Sequence, residues 1–477
     1  MTNEDMGNPE PNENMEPPES NQEMETPEDS TPASAAAAPD ITNSKSKTLP
    51  KGILLPFILL ASCFMWWGIA NNLTDPLVKV FLEIFRELNT FEASLIQFAF
   101  YGGYFCMAIP GAIIARRYSY KTGVLVGLGV YALGCFMLIP SASMQVFAFF
   151  AISYWVLACG LGVLETNANP YVLAIGPAET ATRRLNFAQS FNPVGSVIGI
   201  MLCQILVMAR LPKDDGGNLH IESHQITESL DIVIFPYLAV AVLLVIVWIL
   251  IAITRMPLKA EEDKRLHFKE SFGRLLKNTN YVFSVIAQFF YVGAQITVWT
   301  YTNFYIPYQV GVTQEVALQY HTGALVLFGA SRWVFTGLMK KFSAASLLLA
   351  ASLGGIAATI CVVCVGGWVG VIALIAVSGF MSLMFPTIFG LGSRELGEDT
   401  KMGASGLIMA ILGGALITPF QGWVIDVTNP NVVKDSAKDP TISYLVPMFC
   451  FIVIAAYALY TRKARVSHPA PKVPLKV

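Results

Sequence analysis

Twelve apolar runs of bilayer length constrain this chain more than any other feature; they begin near Ile53, Phe91, Thr122, Val146, Leu185, Ile232, Tyr281, Leu318, Ala344, Trp368, Gly403 and Tyr444. Only a helix satisfies its own backbone across a hydrocarbon core, and about twenty apolar residues suffice to cross it. Apolar residues fill 54% of the 477 positions and charged ones 13%, which excludes one or two soluble domains. The expected fold class is therefore all-α and membrane-embedded, with twelve transmembrane helices.

Basic residues set the orientation. Arg116, Arg117 and Lys121, then Arg183 and Arg184, the segment from Arg255 to Lys277, Lys340 and Lys341, Arg394 and Lys401, and the tail from Arg462 occupy alternate connections. With Lys45, Lys47 and Lys51 they place 24 of the 31 basic residues on one side, so the positive-inside rule puts both termini in the cytoplasm. Residues 1–46 hold 11 of the 33 acidic residues, are rich in Pro, and lack a basic n-region and an apolar h-region. They read as a disordered cytoplasmic tail, not as a signal peptide. The cationic body beyond them is a topology signal, and no nucleic-acid partner is implied. The domain order expected is tail 1–46, six-helix half 50–255, cytoplasmic linker 256–278, six-helix half 279–461 and basic tail 462–477.

The linker contains Arg265, Phe268, Phe272, Leu275 and Leu276, an amphipathic pattern suited to a membrane surface. The eight cysteines all fall within spans, and Cys361-Val-Val-Cys364 has no His or charge beside it. They read as packing residues, with no metal site. No phosphate loop, catalytic triad or nucleotide fingerprint appears, so neither an enzyme nor an ATP-driven pump is indicated, and no cofactor is expected.

Two internal repeats link the halves. Ala115-Arg-Arg-Tyr-Ser119 follows the second span as Met339-Lys-Lys-Phe-Ser343 follows the eighth, and Pro170 to Gly176 closes the fourth as Pro386 to Gly392 closes the tenth. Parallel duplicates of this kind belong to transporters whose site lies between the two halves.

Polar groups inside the spans locate that site. Glu165 stands deep in the fourth span with Asn167 and Asn169, and Asn169 shares its helical face. An ionisable group there marks function by default. The first span reads as one long helix bent at Pro76, with Gly68, Asn72 and Asp75 on one face. Asp75 and Glu165 lie at different depths, so one carboxyl can carry a proton and the other a hydroxylated ligand. In the fifth span Asn186, Gln189, Asn192 and Ser196 form an amide stripe, while Gly195 and Gly199 suit close packing. In the seventh, Gln288, Tyr291, Gln295, Trp299 and Asn303 alternate amides with rings, a pattern fit for a sugar, with Gln295 and Asn303 taken as ligands. Arg332 in the eighth span is expected to pair with a carboxylate of the other half or to snorkel to a boundary beside Trp333.

Asn71-Asn72-Leu-Thr-Asp75, Leu164-Glu165-Thr-Asn-Ala-Asn169-Pro170-Tyr171, Arg184-Leu-Asn186-Phe-Ala-Gln189-Ser-Phe-Asn192 and Phe385-Pro386-Thr-Ile-Phe together resemble the fucose-proton symporters of the major facilitator superfamily. The likeness spans nearly all of residues 50 to 460. It implies proton-coupled import of L-fucose or a related hexose by alternating access, with Asp75 cycling a proton and Glu165 binding sugar and responding to that proton. Trp67, Asn72, Gln189 and Asn192 would line the same central cavity. Ala115 and Tyr118 depart from the Asp and Gly of the general superfamily motif, and Phe385 offers no hydroxyl, which bears on the sugar accepted. A sodium-coupled or uncoupled glucose or galactose carrier on the same fold is the alternative, since Thr74 and Ser190 leave a sodium site open. A non-transporting sugar sensor with the acidic tail as its partner arm is the alternative of another class. The expected setting is a bacterial inner membrane, with the protein acting as a monomer.

Overall fold

The computed structural model describes residues 53–74, 81, 84, 85, 90–212, 221–256, 268–430 and 438–467. Among them are twelve helical stretches, and nine of the helices are long and apolar enough to cross a membrane. In chain order they are α1 Leu54–Thr74, α2 Thr90–Arg117, α3 Tyr120–Met144, α4 Phe147–Ala174, α5 (Ala181–Gln189 and Phe191–Leu202), α6 Ile226–Ile253, α7 Thr279–Val310, α8 Gln314–Leu338, α9 Ala344–Cys364, α10 (Gly367–Met381 and Met384–Gly392), α11 (Thr400–Met409 and Leu412–Thr428) and α12 Leu445–Ser467. The described residues contain no strand.

Local chemistry explains where several of these helices start and stop. In each repeated motif the Ser is an N-cap: Ser119 Oγ accepts from the backbone N–H of Thr122 at 3.1 Å, and Ser343 Oγ from that of Ser346 at 3.2 Å. The basic pairs sit at the preceding helix ends, where the macrodipole favours cations. Arg116 and Arg117 form the last turn of α2. At the end of α4, the buried Arg184 donates to the carbonyls of Val172 (2.8 Å) and Leu173 (2.7 Å), which have no helical partner left.

Side-chain size decides the packing. A Cβ on Gly195 of α5 would lie 2.0 Å from the Met65 carbonyl oxygen of α1, and one on Gly413 of α11 would lie 2.0 Å from that of Phe289 in α7. Small residues thus let backbones touch, as helices in lipid require. The pairs α1–α5, α2–α4, α3–α4 and α3–α6 recur six helices later as α7–α11, α8–α10, α9–α10 and α9–α12. Between the two sets, α2 packs on α11, α5 on α8, α4 on α11 and α5 on α10. The outward faces stay apolar; Val242, Leu243, Ile246 and Ile249 of α6 are all exposed. Such a belt is a liability in water and suits a lipid boundary.

The linker helix Phe268–Lys277 has the expected amphipathic character. Leu275 and Ser271 are buried against the bundle, whereas Phe272 and Leu276 are exposed. Arg116 Nη1 donates to Ser271 Oγ at 2.7 Å, and Arg274 holds Asp399 through two bonds of 2.7 and 2.8 Å. The linker is therefore pinned to α2 and to the start of α11. The bend expected at Pro76 lies outside the described residues, as does Asp75.

Gly195→Ala and Gly413→Ala are each expected to destabilise the protein by about 1–3 kcal/mol through overpacking against backbone. The check is thermal unfolding in detergent, and unchanged midpoints would show that α1–α5 and α7–α11 are not seated this closely.

Candidate functional site

Glu165 lies nine residues before the end of α4, about 14 Å along the axis from it. The residues around it are buried, and Glu165 itself is 5% exposed. Its Oε2 has no hydrogen-bond partner among the described residues. One turn on, Asn169 Oδ1 accepts from Gln189 Nε2 of α5 at 2.7 Å; among the described residues Asn169 Nδ2 completes no hydrogen bond, although the Asn169 side chain lies within reach of the Glu165 carboxyl. An acceptor, Glu165 Oε2, and a donor, Asn169 Nδ2, thus stand on adjacent turns of one helix face. That is the complement of two vicinal hydroxyls, one donating to the carboxylate and the other accepting from the amide.

Trp67 on α1 borders the same place, and its indole N–H donates to the hydroxyl of Tyr104 on α2. Trp67, Phe64 and Glu165 line a cavity of about 10 Å³. That is room for a water at most, so the helices are closed around the site. A larger cleft of about 350 Å³ lies elsewhere, against the linker helix between Arg274, Glu395 and Asp399, and it does not include Glu165.

Depth along the helices decides which groups share a layer. Measured from the helix ends on the Arg183–Arg184 side at ~1.5 Å per residue, Gln189 and Glu165 stand roughly 12 and 14 Å in, and Gln288 of α7 also about 14 Å. Trp67 and Gln295 follow at about 20 and 24 Å, Asn72 at about 27 Å and Asn303 at about 36 Å. Gln288 is fully buried, with neither amide atom partnered among the described residues, and the nearby Tyr291 hydroxyl is also unpartnered. By this count Gln288 is the α7 amide nearest in depth to Glu165, with Tyr291 one turn on and Gln295 and Asn303 further along the same helix face. The Asn303 Oδ1 is unpartnered too, but near the opposite mouth.

Other polar residues make hydrogen bonds within the bundle. Asn167 donates to the carbonyls of Val163 (2.7 Å) and Gly111 (3.1 Å), tying α4 to α2. Asn186 donates to Thr387 Oγ1 of α10 at 3.1 Å, and Asn192 to the Phe64 carbonyl of α1 at 3.3 Å. Asn72 bonds back to Gly68 of its own helix at 3.1 Å. The amide stripe is also interrupted, because α5 breaks at Ser190.

Of the two settings expected for Arg332, snorkelling is not the one observed. The residue is 3% exposed, and among the described residues it forms no ion pair with a carboxylate. Its Nη1 donates to the Gln189 carbonyl at 2.9 Å, its Nε to the Ser382 carbonyl, and the guanidinium lies 4.6 Å from the Phe328 ring centroid. Its neighbour Trp333 instead packs edge-on against Phe187 and Phe191 of α5.

Known proteins resemble the chain over most of its length. The sequence profile of the Major Facilitator Superfamily matches residues 55–420. An L-fucose-proton symporter of Haemophilus influenzae is 43% identical over 427 residues, covering 86% of this chain and 97% of the relative. A glucose/galactose transporter of Brucella abortus is 31% identical over 411 residues, 85% of this chain and 93% of the relative. Among solved structures, the transporter FucP in the outward conformation superposes with a TM-score of 0.77 at 37% identity, covering 86% of this chain and 99% of that one.

A carboxyl oxygen left without a partner in a closed site adds little to stability, and Glu165 Oε2 is such an atom among the described residues. Glu165→Leu is expected to leave the thermal midpoint in detergent unchanged or higher, whereas a clear fall would make the carboxyl a structural group.

Proposed function

The chain belongs to the major facilitator superfamily, and from that premise we propose that it imports L-fucose or a related hexose by proton symport and alternating access. The observation that carries this reading is the buried Glu165 carboxyl, its Oε2 without a partner among the described residues, beside the Asn169–Gln189 pair and a small cavity between α1 and α4. The Haemophilus influenzae relative, named as an L-fucose-proton symporter, supports the substrate and the coupling ion. Glu165 and Asn169 bind vicinal hydroxyls, Gln189 holds Asn169 in register, and Trp67 offers a ring to the sugar's C–H face. Gln288 and Tyr291 complete the shell from the second half, with Gln295 and Asn72 further along the path. Asn192 seats α5 on α1 behind the site.

Asp75 takes the proton from outside, and its loading allows sugar to settle against Glu165. Both termini are cytoplasmic, in keeping with 24 of 31 basic residues on that side. The two halves, 50–255 and 279–461, rock about the site as a functional monomer in a bacterial inner membrane, with residues 1–46 dispensable for transport. A second reading keeps the fold but changes the cargo to glucose or galactose, with sodium or no ion. It is favoured by the Brucella abortus relative and by Phe385, which lacks a hydroxyl and packs 6.1 Å from the Tyr291 ring.

Vesicles holding the purified protein are expected to accumulate labelled L-fucose when an inward proton gradient is imposed and not when a sodium gradient is. The reverse result would move the coupling to sodium. Uptake of galactose or glucose without fucose would favour the second reading, and no uptake of any of them would favour a sensor. Asp75→Asn is expected to abolish uphill accumulation while sparing sugar exchange, and retained accumulation would remove Asp75 from the coupling step. Glu165→Ala is expected to weaken sugar binding by about 10- to 100-fold, the worth of one charge-assisted hydrogen bond. Unchanged affinity in calorimetry would remove Glu165 from the site.

A further inference from the structure

Two of the bundle's helix breaks share one side chain. Helix α5 stops at Gln189 and restarts at Phe191, with Pro193 two residues into the new segment. Helix α10 is interrupted at Ser382 and Leu383 and restarts at Met384, with Pro386 again two residues in. A proline supplies no N–H to the carbonyl four residues earlier. The carbonyls so deprived are those of Gln189 and Ser382. They are the two that Arg332 occupies, one through Nη1 at 2.9 Å and the other through Nε.

Within a bilayer such carbonyls have no water to turn to, and neighbouring helices must serve them. Arg332 is suited to the task because its planar fork presents several donors in fixed directions. The surroundings hold it there: the guanidinium lies against Phe328, Phe328 packs edge-on against Trp299 at 5.2 Å, and a Cβ on Gly329 would lie 3.1 Å from the Pro193 Cβ. Helix α8 is thus seated against the α5 break.

The two bonds differ in kind. Ser382 and Arg332 both belong to the second half, whereas Gln189 belongs to the first. Only the Gln189 bond has to part when the halves separate on this side, where α5 also meets α10 through Asn186 and Thr387. Gln189 is in addition the residue whose side chain holds Asn169 beside Glu165.

We propose that Arg332 is a positioning residue of the transport cycle, clasping the two proline-deprived carbonyls so that the Gln189–Asn169 pair is held in register only while the halves are closed on the Arg183–Arg184 side. This rests on the transporter reading and adds to it a link between sugar and conformation. Sugar bound at Glu165 and Asn169 stabilises Gln189, Gln189 favours the clasp, and the clasp favours closure.

The test compares wild type, Arg332→Lys, Arg332→Gln and the triple variant Arg332→Gln/Pro193→Ala/Pro386→Ala by hydrogen exchange, thermal unfolding and sugar uptake. Lysine keeps the charge but not the fork. Both single variants are expected to show several-fold faster exchange across 181–189 and 384–392, with a raised KM for sugar. The triple variant regains backbone N–H groups for both carbonyls, so it is expected to recover its unfolding midpoint but not the slow exchange or the low KM.

Full recovery of all three readouts in the triple variant would show that Arg332 merely fills the prolines' gap. Wild-type behaviour of Arg332→Lys would show that charge alone matters. Either result overturns the proposal. Hydrogen exchange does not require transport, so absent uptake by the wild type would count against the transporter reading without being mistaken for failure of the clasp.

Discussion

Every buried backbone carbonyl in this bundle has to find a donor without water, and much of the architecture follows from that requirement. Prolines and helix ends create the deficits, and long basic or amide side chains meet them. Arg184 covers the end of α4 through Val172 and Leu173, Asn280 covers Leu391 near the end of α10 at 3.0 Å, and Arg332 covers the breaks in α5 and α10. An arginine placed this way is used as a forked donor to backbone, which helps a cation to be tolerated at lipid depth with no carboxylate paired to it among the described residues.

The same economy of partners separates structural from functional polar groups. Asn167, Asn186 and Asn192 give amide N–H groups to neighbouring helices, so each fixes a helix-to-helix relation, although Asn167 Oδ1 has no partner among the described residues. Glu165, Asn169, Gln288 and Tyr291 keep atoms unspent although all are buried. Leaving such groups unpaired is costly to the closed protein. The arrangement makes sense when a hydroxylated ligand supplies the missing partners during part of a cycle. The cavity beside Glu165, at about 10 Å³, shows the site in a closed form.

Close backbone approach gives the two halves their common plan. Gly195 against Met65 and Gly413 against Phe289 are the same contact made six helices apart, and the N-caps Ser119 and Ser343 begin equivalent helices. Between the halves aromatic packing of Trp333 on Phe187 and Phe191 is joined by polar contacts, Asn186 on Thr387 and Arg332 on Gln189. Rigid halves joined by a few breakable polar contacts are what alternating access requires.

Twelve helices, their starting points to within a few residues, the amphipathic linker and the duplicated capping motifs were all legible in the order of residues. Each depends on local periodicity, charge or a cap that acts within one turn. Glu165 was legible too, because a carboxylate in an apolar span is anomalous wherever the helix goes. The α5 break at Ser190 and the α10 break before Met384 were not, since Pro193 and Pro386 allow either a break or a continuous kinked helix until a neighbour supplies the missing donor. Nor did periodicity separate Gln288 from Gln295, or Asn169 from Asn167, because residues on one helix face become different only when neighbouring helices set their depth and take up their hydrogen bonds. Sequence by itself determined the spans and the anomalous carboxylate, which are properties of a segment and its solvent. Which polar groups keep unpartnered atoms, and that Arg332 serves two backbone carbonyls at once, only the tertiary structure decided, because hydrogen-bond partners drawn from different helices are fixed by packing alone.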